Sequence, residues 1–95
     1  MTKYKNQLQL YRHRMRLSQE QVVKLLGSET SRYRLSRFET GFQLPPLKVA
    51  LALEILFRVP IAFCYPEMYH EMRDHLRTAE AQMLPAMSQT QGALF

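Results

Sequence analysis

Between Ser18 and Gly41, apolar residues recur at helical intervals in two short segments that flank a polar turn. The first segment opens on Ser18 with Gln21 three residues on, the spacing of a capping box. Val22, Val23 and Leu26 follow, and Gly27 stands where a helix would stop. The second segment puts Leu35 and Phe38 on one side, and the opposite side carries Tyr33, Ser36, Arg37 and Thr40, flanked by Arg32 and Arg34. Ser31 is the expected N-cap of this helix, with Thr30 as the alternative; free backbone donors at such a cap also form an anion site. Packing alone explains an outer face of Arg, Tyr, Ser and Thr poorly, whereas a helix laid in a DNA groove explains it well.

The same periodicity predicts helices on either side. Met1 to Lys5 read as a frayed basic arm. A first helix is expected from Asn6, its N-cap, to Met15, with Leu8, Tyr11 and Met15 facing inward and Arg12, Arg14 and Arg16 extending a basic surface. After Gly41, Pro45 drives Leu44 toward an extended conformation, and Pro46 suits a first helical turn. The helix from Pro46 to Phe57, rich in Leu and Ala, is expected to be the most buried. A short fifth helix runs from Ile61 to Tyr65. From Glu67, positions Tyr69, Met72, Leu76, Ala79 and Met83 repeat by three and four, the a/d spacing of a heptad. Two heptads are too few to define a coiled coil, so this helix either packs back on the domain or forms a dimer seam. The expected class is therefore all-α: an arm over 1–5, a domain over 6–65, a C-terminal helix over 66–84 and a disordered tail over 85–95.

Composition narrows the picture. With 95 residues and 46% hydrophobic residues, the chain is long enough for one small core. No apolar run approaches the roughly 18 residues of a membrane helix, and the N-terminus lacks the apolar stretch of a signal peptide. The single Cys64 cannot form an internal disulfide; a buried thiol in a reducing cytoplasm is the expected setting. Through Lys48, ten Lys or Arg face three Glu, a balance of +7; the remaining residues carry three basic and five acidic groups, a balance of −2. Positive charge gathers around the two-helix stretch, as a polyanion partner would require.

Catalytic chemistry finds little footing. His13, His70 and His75 are scattered, and the last two are five residues apart, off a shared helical face. The sequence holds no phosphate-cradling glycine loop, no nucleophile–base constellation and no metal-ligand spacing, so neither an enzyme nor a cofactor is expected.

Residues 6 to 65 resemble the lambda-repressor-like helix-turn-helix domain of the Xre (Cro/CI-type) family. The likeness rests on Arg12; Leu17-Ser18-Gln19; Leu26-Gly27; Leu35-Ser36-Arg37-Phe38-Glu39 with Gly41; Pro45-Pro46-Leu47; and Val59-Pro60-Ile61, in that order and spacing. The resemblance implies a five-helix DNA-binding domain, here with an extra C-terminal helix. It implies that Gln19 binds phosphate and braces the third helix, and that Arg32, Tyr33 and Arg37 read base edges. Ser31, Arg34, Ser36 and Thr40 would then meet the phosphates, and the main-chain N–H groups of Thr40, Gly41 and Phe42 would approach them. Arg12 and Glu39 match a pair that bridges the first and third helices. Arg16 stands where the family often has glycine, the link after Gly27 is two residues longer than the commonest form, and the loop after Gly41 lacks the usual Lys or Arg.

The function this implies is transcriptional regulation, most often repression, by a homodimer on an inverted repeat of double-stranded DNA, with reading helices about 34 Å apart. The dimer candidates are Tyr69, Met72, Leu76, Ala79 and Met83. The rival reading is a protein-interaction module, such as the antitoxin of a toxin–antitoxin pair, in which the C-terminal helix holds the partner. No membrane partner is expected.

Overall fold

A computed structural model describes residues 3–87, with side chains placed through Leu84. The chain is all-α. Among the described residues six helices follow one another: α1 (Leu8–Arg14), α2 (Gln19–Leu26), α3 (Arg32–Glu39), α4 (Leu47–Phe57), α5 (Ile61–Cys64) and α6 (Pro66–Met87), with a 3₁₀ turn at Gly27–Glu29 between α2 and α3. No described helix is long and apolar enough to cross a membrane.

The core gathers one to three residues from each of the first five helices: Leu8, Val22, Leu35, Phe38, Val49, Leu53, Phe57 and Cys64, with Tyr65 beside them. Local signals explain most boundaries. Ser18 and Gln21 form the expected capping box, and Gly27 ends α2 at φ +64°, a conformation that costs a side chain about 1 kcal/mol or more and that glycine adopts freely. Ser31 caps α3 by accepting from the Arg34 N–H. Asn6 works one residue earlier than expected. Gln7 precedes α1, while the Asn6 side chain accepts from Leu8 N–H at 3.0 Å and donates to the carbonyls of Tyr4 and Phe38 at 2.9 and 2.8 Å. It thus fastens the start of α1 to the end of α3. Pro46 lies in extended backbone just before α4 rather than inside its first turn. Glu54 reaches from α4 to accept the free Ile61 N–H at 2.8 Å, satisfying a donor at the start of α5.

Four expectations change. The arm is tied down from Lys3: the Lys3 and Tyr4 N–H groups both donate to the Gly41 carbonyl, at 3.0 and 2.8 Å, and Tyr4 packs on the core. Helix α4 is not buried all round. Val49, Ala50, Leu53 and Phe57 face inward, but Leu47 and Ile55 are 75% and 77% exposed and Leu51 is half-exposed. These three lie at i, i+4 and i+8, so they form a second apolar stripe that no described element covers. Helix α6 does not pack back along the domain. Met68 touches the core, yet every residue from Tyr69 to Leu84 except Ala79 is exposed. Of the tail expected over 85–95, Pro85 to Met87 continue α6, and the rest lies outside the described residues.

Cys64 is a free, fully buried thiol, as its sequence context suggested. Burial, with a smaller push from the Glu54 carboxylate, raises its pKa to about 11, so it stays protonated at neutral pH.

Candidate nucleic-acid interface

Helix α3 is held from behind and open in front. Behind, Leu35 and Phe38 are buried in the core. At its C-terminal end, Arg12 of α1 grips Glu39 with two bonds, Nε to Oε2 at 2.6 Å and Nη2 to Oε1 at 3.2 Å. The remaining Arg12 nitrogen donates to the Leu17 carbonyl at 2.9 Å, and Gln19 Nε2 donates to Glu39 Oε1 at 3.0 Å. The side chains of Arg12 and Glu39 are only 8% and 4% exposed. A forked, charge-assisted pair of this kind fixes direction as well as distance. It locks α1, the start of α2 and the end of α3 into one unit, and so sets the angle at which α3 leaves the surface.

In front, Arg32, Tyr33 and Arg34 are exposed, and Ser36 and Arg37 are half-buried. Arg37 is the most organised of them. Its guanidinium lies 5.7 Å from the ring centres of both Tyr33 and Phe42, within cation–π range of each. Its Nε donates to Gln43 Oε1 at 3.3 Å and its Nη1 to the Tyr33 hydroxyl at 3.5 Å. A long, rotamer-rich side chain is thereby partly ordered in advance, which lowers the entropy lost when it binds. Arg32 instead pairs with Glu20 of α2, Nη1 to Oε1 at 3.1 Å, with both side chains well exposed.

The loop after α3 departs from expectation. Its main-chain N–H groups do not point outward for phosphates. Those of Thr40, Gly41, Phe42 and Gln43 donate to the carbonyls of Ser36, Phe38, Arg37 and Arg37. The Thr40 hydroxyl likewise donates to the Ser36 carbonyl at 2.8 Å. Gly41, at φ +83°, turns the chain so tightly that the α3 carbonyls take up these donors. What the loop offers the face is side chains, Phe42 and Gln43, both of which serve Arg37.

The structure thus presents Tyr33, Ser36 and Arg37 on the outer side of α3, with Arg32 and Arg34 on its flanks and Ser31 at its N-cap, and joins Arg12, Glu39 and Gln19 at its back. Sequence reasoning missed Phe42 and Gln43 as supports of Arg37, and Glu20 as the partner of Arg32. Nothing in the periodicity of α3 reveals them, because the Gly41 turn and the α2–α3 crossing create these contacts. Arg16 adopts φ +56°, the left-handed region, directly before α2. The dimer candidates Tyr69, Met72, Leu76 and Met83 are all exposed on α6, remote in sequence from this face. Among the described residues, no group of three or more His, Cys, Asp or Glu is arranged to hold a metal.

Compared with protein-family models, with curated proteins and with solved structures, this chain has no match.

Proposed function

We propose that this chain is a sequence-specific DNA-binding regulator of transcription, with a lambda-repressor-like helix-turn-helix domain in which α2 supports and α3 reads the major groove. The observation that carries this reading is Arg37, a planar fork within cation–π range of both Tyr33 and Phe42 on a helix braced from behind by Arg12, Glu39 and Gln19. Two parallel N–H donors suit O6 and N7 of guanine, a contact worth roughly 1–3 kcal/mol of discrimination. Arg32 would read an adjacent base after leaving Glu20; an exposed pair contributes only about 0–1 kcal/mol, so release costs little. Tyr33 would meet a thymine methyl or a phosphate. Arg34, Ser36 and the Ser31 cap would position the backbone, and the spare N–H of Gln19 would add a phosphate contact. The +7 balance of the first 48 residues supplies the sequence-independent attraction. The chain would act in the cytoplasm as a homodimer on an inverted repeat, and repression would follow from occluding a promoter, with no catalytic step.

Fluorescence anisotropy tests the reading. The duplex upstream of the protein's own gene is titrated against scrambled duplex at two salt concentrations. A preference of about 10³-fold or more, with steep salt dependence, is the expected result. Equal, weak, salt-sensitive binding to a panel of genomic fragments and to scrambled DNA would reject sequence-specific regulation.

A further inference from the structure

Two exposed apolar features of this molecule share residues. One is the stripe along α6 formed by Tyr69, Met72, Leu76, Ala79 and Met83. The other is an almost wholly apolar groove of about 390 Å³ between the start of α4, α5 and the first turns of α6, lined by Leu44, Pro45, Ile61 and Met68 among others. Tyr69 and Met72 belong to both, so a partner that follows the stripe toward the N-terminus of α6 runs into the groove. We infer that the partner is a second copy of this chain, whose α6 lies antiparallel to the first.

The spacing allows antiparallel registers one heptad apart, and the inferred register is the one that sets unlike rather than like charges at Arg73. When the stripe meets itself head to tail, Leu76 faces the partner's Ala79 and Met72 faces the partner's Met83, each twice by symmetry. The large Leu opposes the small Ala, which lets the backbones approach at the centre. Beyond this layer, the partner's Met83 and Leu84, both exposed in the single chain, reach the mouth of the groove. A bare seam of two heptads falls short of the three to four that sustain a coiled coil, and the groove supplies the missing apolar area.

Charge selects the direction. Arg73 and Glu80 occupy equivalent flanking positions one heptad apart. In the antiparallel register Arg73 faces the partner's Glu80 twice by symmetry, both times on the same flank of the seam. A parallel pair would set Arg73 against the partner's Met68 and Glu80 against the partner's His75. In the single chain Arg73 pairs with Asp74 and Glu80 with Arg77, each at 3.0 Å and all well exposed, so exchanging partners costs little. The seam centres between residues 77 and 78, so the two Pro66 residues lie about 35 Å apart and the domains stand at opposite ends. The spacing between DNA half-sites is then set by the seam's length.

The test uses the full chain without DNA, so its outcome is independent of the DNA-binding reading. Analytical ultracentrifugation is expected to give twice the 11.3 kDa chain mass at micromolar concentrations. Leu76→Glu is expected to give a monomer with unchanged helical circular dichroism, since Leu76 is half-exposed in the single chain. Arg73→Glu should weaken the dimer about tenfold, and Arg73→Glu with Glu80→Arg should restore it. Oxidation of a mixture of Met72→Cys and Met83→Cys variants should yield mainly the mixed disulfide, with wild type as the control because Cys64 is buried. A chain that stays monomeric up to hundreds of micromolar would overturn the inference and leave the stripe to a partner of different sequence. A dimer untouched by Leu76→Glu, or Met72→Cys pairing mainly with itself, would also overturn it.

Discussion

Two arginine–glutamate pairs hold the two ends of α3, and their surroundings give them opposite meanings. Arg12 and Glu39 meet through two bonds with side chains 8% and 4% exposed, and the Leu17 carbonyl and Gln19 add one further bond to each partner. Arg32 and Glu20 meet through one bond, with side chains 65% and 75% exposed. The first pair is buried, with every guanidinium nitrogen already bonded, so it is withdrawn from any ligand, and breaking it would strand a buried charge. The second is screened by water and exchanges readily for a better anion. The lesson is that burial, and not the identity of the residues, divides the structural arginines of this domain from those available for recognition. Arg37 lies between the extremes: half-buried and oriented by aromatic rings, yet with no carboxylate partner among the described contacts.

Substitutions can break or sharpen this contrast. Glu39→Ala leaves Arg12 buried without its counter-charge and is expected to cost about 3–5 kcal/mol in urea unfolding. Replacing both partners, Arg12→Met with Glu39→Leu, should cost less than either single change; a loss below about 1 kcal/mol for Glu39→Ala would put the two pairs in one class. Arg37→Ala should leave stability nearly unchanged but remove about 1–3 kcal/mol of base discrimination, read as a relaxed preference at one operator position. Equal weakening on every sequence would make Arg37 a phosphate contact. Arg16→Gly relieves a side chain held at φ +56° and is expected to stabilise the fold by up to about 1 kcal/mol, less the entropy glycine returns to the unfolded chain. Glu20→Gln is the smallest change: within about 0.5 kcal/mol in thermal unfolding, with tighter duplex binding because Arg32 is released and a negative charge leaves the face. Unchanged duplex affinity in that variant would mean that Arg32 does not approach the DNA.

Much of the contrast was legible in the sequence. The periodicity of Leu35 and Phe38 separates the inner from the outer face of α3, and the capping signals at Ser18, Gln21 and Ser31 act where their spacing put them. The Arg12–Glu39 pair was expected only through resemblance, because no local rule joins residues 27 positions apart. The supports of Arg37 were not legible. Phe42 and Gln43 reach it because Gly41 reverses the chain, and the same turn diverts to α3 the backbone donors expected to face phosphate. Helix α4 misled for a related reason: Leu and Ala in every register look buried, but whether Leu47 and Ile55 are covered depends on what else the chain can bring to them.

The sequence by itself determined the helices, their caps and the polarity of each face. These depend on contacts within three or four residues, which the order of side chains fixes directly. Only the tertiary structure decided which charges are buried, which loop supports the exposed face of α3, and that α6 leaves the domain with its apolar stripe uncovered. Those outcomes depend on how the helices cross and on how little surface a small domain has to cover them, and neither is written in local periodicity.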